Sequence, residues 1–167
     1  MMKRQTHLPR RWLVSDARND AVLERALARL PRGSGFIYRH YHLPPAERRA
    51  RYEALRRLCR ARGIAIMLAG SRREARAWRA DGAYGPGGEV ATAHSLRELR
   101  RTGRARAVLL SPAFPTRSHP GAKVLGPLRF LLLAAQSPLP VSALGGVNRR
   151  TARRIPGTAW GAIDGLS

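Results

Sequence analysis

The chain has 167 residues, with 32 Lys plus Arg against 10 Asp plus Glu, five His and one Cys, for a formal net charge of +22. A hydrophobic fraction of 44% spread along the whole length excludes a disordered basic tail and predicts one folded domain over residues 1–167. The lone Cys59 excludes an internal disulfide framework and a cysteine-built zinc cluster, which makes a reducing, cytoplasmic compartment the expectation. The N-terminal MMKRQTHLPRRWL is basic but has no apolar h-region, and the longest apolar run, residues 130–135, is too short for a bilayer. Neither export nor a membrane partner is expected.

Only Lys3 and Lys123 among the 32 cationic residues are lysine. A GC-rich coding sequence produces that skew without any ligand. Arginine also grips phosphate bidentately, so nucleic acid and small phosphorylated substrates are the two functional readings of the charge. The clusters Arg48, Arg49, Arg51, then Arg56, Arg57, Arg60, then Arg72, Arg73, Arg76 fall on segments with helical periodicity and read as solvated outer faces. No interleaved aromatics and no nucleic-acid-reading motif accompany them, which favours small substrates.

In chain order, apolar runs of strand character fall at residues 12–15, 35–39, 64–68, 82–84, 89–93, 107–111, 140–144 and 159–163. After the first, Asp20 is placed to cap a helix whose apolar face is Val22, Leu23, Ala26, Leu27 and Leu30, ended by Pro31 and Gly33. Pro44 and Pro45 open the next helix; Tyr52, Leu55, Leu58 and Cys59 face its core side, and Gly63 stops it. Ser71 with Glu74, and Ser95 with Glu98, have the S-x-x-E spacing of a capping box. The segment 85–88, GPGG, reads as a flexible strand connection rather than a phosphate cradle, since no helix start follows it. Pro127 opens an apolar helix over 128–136, and Asn148 is placed to cap one carrying Ala152 and Ile155. Trp12, Trp78 and Trp160 read as core residues.

Strand-then-helix repetition implies parallel pairing through right-handed crossovers, and eight units predict a compact α/β (β/α)8 TIM barrel lacking the final helix. An open flavodoxin-like sheet is the alternative.

Two stretches carry chemistry. FPTRSHPGAKVLG, residues 114–126, follows the sixth strand and so falls at the C-terminal face, where barrel sites are built. Thr116 and Ser118 offer hydroxyls two residues apart, Arg117 and His119 offer charge, and Gly121 permits the turn an anion loop needs. In PVSALGGVN, Gly145 and Gly146 end a buried-type strand before a helix start, where backbone amides can approach a phosphate. An ordinary Pro/Gly loop and a tight turn remain open for the two stretches.

IYRHY at 37–41, RADGAYG at 79–85, TAHSLREL at 92–99, SPAFPTRSHPGAKVLG at 111–126 and VSALGGV at 141–147 occur in the order and spacing of the thiamine phosphate synthase and thiazole tautomerase family. The chain resembles that family over nearly its whole length. The resemblance implies a (β/α)8 barrel in thiamine biosynthesis. Its implied reaction condenses hydroxymethylpyrimidine diphosphate with thiazole phosphate, releasing pyrophosphate with Mg2+ assistance. Carried over by motif, Arg39 is the diphosphate arginine, Thr92 the small hydroxyl residue after strand five, Thr116 and Ser118 the thiazole-phosphate hydroxyls, and Gly145 and Gly146 its glycine loop.

Other positions depart from the pattern. Ile37 and Tyr41 stand where the family has Gln and Lys, Ala69 and Gly70 where it has the Asn-Asp pair that meets diphosphate and Mg2+, Tyr84 where it has His, and His119 where it has Lys. Glu89 is the acid nearest the second metal-ligand position. The resemblance thus makes Mg2+ a possible cofactor while its usual ligands are not retained, and no metal ligand is assigned. Asp164 replaces a small residue beside the phosphate, and Pro112 stands where some tautomerase relatives carry His, leaving His94 and His119 as candidate acid/base groups. A thiamine phosphate synthase-like enzyme is the expected reading, with a non-catalytic or regulatory binder of a phosphorylated thiamine precursor, or a thiazole tautomerase-like isomerase, as the alternatives. A homo-oligomer stays open.

Overall fold

The computed structural model describes residues 8–118, 120–164 and 166. Eight parallel strands close into a barrel in sequence order: β1 Arg11–Val14, β2 Gly35–Tyr38, β3 Ala65–Ala69, β4 Gly82–Tyr84, β5 Val90–Ala93, β6 Ala107–Leu110, β7 Val141–Ala143 and β8 Ala159–Ala162. β1 pairs with both β2 and β8, which closes the ring. All eight expected strands are present, most with ends trimmed or shifted by one or two residues. Five α-helices cover the outside: α1 Leu23–Arg29, α2 Pro45–Arg62, α3 Arg72–Ala77, α4 Leu96–Leu99 and α5 Gly126–Ala134. Among the described residues no helix follows β8, and none is long and apolar enough to cross a membrane.

Among the described residues, strand-then-α-helix repetition fails at two connections: β7–β8 carries only a 3-10 turn, and β4–β5 no helix at all. β4 and β5 are joined directly by residues 85–89, although parallel neighbours normally need a crossover of about a dozen residues or more. Stagger makes this possible: the pairing is Tyr84↔Val90, so β5 begins level with the last residue of β4 and the chain need not return to the bottom of the barrel. Gly88 is required in that turn, because a Cβ there would lie 2.5 Å from the Ala83 carbonyl oxygen.

The barrel interior is filled by Trp12, Val14, Ile37, Val90 and Leu109, with Met67, Tyr84, Leu144 and Ile163 against them. Trp12 pairs in register with Gly35 on one side and Gly161 on the other. A Cβ at Gly35 would stand 2.3 Å from the indole, so the glycines make the room that the largest interior side chain occupies. Two outer cores lie between strands and helices, one under α1–α3 and one against α4 and α5.

Several local expectations are corrected. Asp20 caps nothing: it opens a 3-10 turn, Asp20–Val22, and its carboxylate instead accepts from Arg51 Nε at 2.8 Å. Asn148 Oδ1 accepts from the N–H groups of Arg150 and Thr151, yet the segment it caps is a 3-10 turn, Thr151–Arg154, rather than an α-helix. Ser71 and Ser95 do accept from the amides of Glu74 and Glu98. The return bond of the box is replaced at the first site, where Glu74 pairs with Arg48. The predicted 128–136 helix is α5, shifted two residues toward the N-terminus. Trp12 and Trp160 are core residues as expected, whereas Trp78 is half-buried beneath the guanidinium groups of Arg48 and Arg49.

α2 matches its sequence signals. Tyr52, Leu55 and Cys59 are buried, and Gly63 ends it in the left-handed conformation, φ 67°, its N–H reaching back to Arg60 and Cys59 carbonyls. Burial, with a smaller contribution from Asp81, pushes the Cys59 thiol up to about 12. Cys59 is therefore expected to resist a thiol-exchange reagent in the native protein at pH 8 and to react fully in denaturant; rapid native labelling would contradict its placement.

Candidate functional site

At the C-terminal ends of β1, β6, β7 and β8 a cavity of about 640 Å³ opens. The loop after β6 supplies Thr116, Arg117, Ser118 and Lys123, the loop after β7 supplies Gly145 and Gly146, and Arg39 enters from the end of β2. The chain folds this way locally because β6 is fully buried and its continuation has to leave the sheet, passing through Pro112 and Pro115 before α5 begins. The loop is pinned to the β7 end by backbone bonds from Ala113 N–H to Leu144 and from Phe114 N–H to Gly145.

Gly145 and Gly146 have φ of 87° and 63°, the left-handed region. A Cβ at Gly146 would lie 2.2 Å from the Pro115 carbonyl oxygen, so only glycine permits the two loops to touch. Among the described residues neither glycine N–H donates to another backbone or side-chain acceptor, and this leaves two amides at the cavity wall. Amides exposed in such a turn suit an anion.

The structure brings Arg39, Thr116, Ser118, Gly145 and Gly146 to one cavity and leaves Thr92 out of it: Thr92 lies within β5 and does not line the wall. His119 lies outside the described residues. The other acid/base candidate, His94, does line the cavity, and its Nδ1 is 2.9 Å from the Ser111 carbonyl oxygen. The Ser111 hydroxyl lies 3.2 Å from the same nitrogen, so Nδ1 donates to the carbonyl or accepts from the hydroxyl according to the tautomer.

Two cations went unnoticed in the sequence. Arg18, from the loop after β1, donates Nη2 to Ser118 Oγ at 2.9 Å, while Asp16 holds its Nε at 3.1 Å and Asp164 stands 3.5 Å from Nη1. It therefore ties the β1 loop to the β6 loop across the cavity, and the Asp-x-Arg pattern directly after a strand was the available signal. Asp164, which stands where the resemblance has a small residue, is paired with this arginine. Lys123 also lines the cavity.

The arginines expected on solvated outer faces divide. Arg48 turns inward over the end of β3: Nε donates to the Arg39 carbonyl at 2.9 Å, Nη2 to the Ala69 carbonyl at 2.9 Å and Nη1 to Glu74 at 3.0 Å. Arg51 reaches Asp20 and Glu24. These hydrogen bonds, chiefly the one to Glu24, raise the guanidinium's proton affinity further.

Mg2+ does not fit the residues at the position the resemblance marks for it. Ala69 and Gly70 carry no donor side chain, and the Ala69 carbonyl is already held by Arg48. Glu89 is committed elsewhere, to the Ala83 N–H at 2.7 Å and to Arg72 at 3.1 Å. A guanidinium occupies the ground where hard oxygen ligands are needed.

No family model matches the sequence, and no curated protein matches it. Among solved structures, thiamine phosphate pyrophosphorylase from Pyrococcus furiosus is similar, with a TM-score of 0.77 and 22% identity over 96% of this chain and 87% of that one. The eight-stranded barrel of this chain is thus the fold of a thiamine phosphate pyrophosphorylase.

Proposed function

We propose that the cavity binds a small phosphate monoester, of which thiazole phosphate is the candidate named by the resemblance, and that the chain acts on or senses this thiamine precursor. One observation carries the reading: the Thr116 and Ser118 hydroxyls and the Gly145 and Gly146 amides line one cavity at the barrel's C-terminal end, together with Arg18, Arg39 and Lys123. Hydroxyls, amides and cations together match the acceptor oxygens of a phosphate. Condensation with a pyrimidine diphosphate is the less supported role, since Arg48 and its partners fill the region that would hold Mg2+ and the leaving group.

His94 favours a second reading, proton transfer on the bound phosphorylated ligand, as in a tautomerase-like isomerase. Ser111 holds its Nδ1 at the cavity wall, and an imidazole placed there can give or take a proton. Thr116→Val is expected to weaken thiazole phosphate binding about tenfold to a hundredfold, the loss of a hydrogen bond to a charged group, without lowering thermal stability appreciably. An unchanged affinity would remove the β6 loop from the site. Thiamine phosphate formed from both precursors with Mg2+ would restore the synthase reading.

A further inference from the structure

Apart from that cavity, the chain brings a second set of chemically capable side chains together where the loops after β1 and β2 meet. We propose that Asp20, His40 and His42 bind one transition-metal ion of the zinc class. Their ligand atoms all lie within 4.8 Å of one another. Donors about 2.0–2.2 Å from zinc stand about 3.3 Å apart, so a small rotation of the exposed His42 completes the set.

His40 carries the argument. Its side chain is 0% exposed, and its backbone sits at φ 42°, a conformation uncommon outside glycine and kept only where the surroundings hold it. Nδ1 is 2.8 Å from Ser15 Oγ. Nε2 is 2.9 Å from Asp20 Oδ1, an ion pair when the ring is protonated. A metal ion held by this ring and the carboxylate would take the place of that proton.

The surroundings agree with this. Metal binding selects the tautomer whose Nδ1–H donates to Ser15, the outer partner that orients the ligand. Arg51 holds Asp20 through Oδ1 and the backbone carbonyl, leaving Oδ2 for the ion. The His42 ring lies 4.8 Å from that of His40 and is exposed, so it marks the entry side. Two imidazoles with one carboxylate suit zinc, nickel or cobalt, whereas magnesium and calcium take oxygen sets. The proposal does not depend on the ligand of the cavity, since none of the three residues lines it.

The test uses tag-free, chelator-treated full-length protein, with Zn2+ followed by calorimetry and Co2+ by its visible absorption. One equivalent is expected to bind, roughly tenfold or more weakly in His42→Ala and in Ser15→Ala, and unchanged in His94→Ala. His42 is exposed, so its variant keeps the fold, which circular dichroism checks. Absence of binding, equal affinity in wild type and His42→Ala, or loss of the site in His94→Ala would each overturn the assignment.

Discussion

Gly146→Ala is expected to destabilise the protein by about 2–5 kcal/mol and to abolish binding of a phosphorylated ligand. Two costs add. A left-handed backbone, φ 63°, costs an alanine about 1–2 kcal/mol. The new methyl group would also stand 2.2 Å from the Pro115 carbonyl and 2.7 Å from that of Phe114, both backbone atoms, and overpacking of this kind costs about 1–3 kcal/mol. Relief requires the β6 loop to move away from the β7 end, which separates Thr116 and Ser118 from the glycine amides. Gly157→Ala is the control: its φ is 75° but nothing lies within 4 Å of its Cβ, so only the first cost applies. Urea denaturation of the two variants separates the terms, and equal losses would show that the loops do not touch as described.

Arg48→Leu is expected to cost about 2–4 kcal/mol, a large effect for a residue in a surface helix. It leaves the Arg39 and Ala69 carbonyls and the Glu74 carboxylate without the donors that now lie 2.9, 2.9 and 3.0 Å away. It also removes the cation lying 5.0 Å from the Trp78 ring centroid. The neighbouring Arg49→Leu is expected to cost about 1 kcal/mol or less, because Arg49 holds no backbone carbonyl and has only a partly exposed i,i+4 pair with Glu53 and the Trp78 face 4.8 Å away. Denaturation midpoints compare them directly. Since Arg48 holds the Arg39 carbonyl, the first variant is also expected to loosen the Arg39 side of the cavity, read as weaker ligand binding when both are measured below the unfolding transition.

Those two neighbours show where sequence reading stops. Both sit on α2 among many arginines, and helical periodicity gives them the same outward character. Position over the open end of β3 sends Arg48 inward, and only the three-dimensional barrel reveals it. The strands were readable because buried parallel strands are short apolar runs bounded by turn residues. The direct β4–β5 link was readable as a connection at GPGG, but its consequence was not: the stagger of Tyr84 against Val90 is a property of barrel shear.

For the cavity, FPT and GG stood out by their place after a strand, although an ordinary loop and a tight turn use the same residues, and the fold brings both stretches to one cavity. Arg18 carried only the short Asp-x-Arg pattern after β1, and Asp20, His40 and His42 come from two separate loops that only the fold brings together. Thr92, carried over by resemblance, lies in the wall of the barrel away from the cavity.

Calorimetric titration with thiazole phosphate, in parallel with its unphosphorylated alcohol and in the presence of EDTA, is the most direct measurement of the central claim. Binding of the phosphate ester, undiminished by EDTA and at least about tenfold tighter than that of the alcohol, is the expected result, since the amides, hydroxyls and cations of the cavity act on the phosphate alone. Equal binding of ester and alcohol, or binding of the ester only when Mg2+ is supplied, would contradict it.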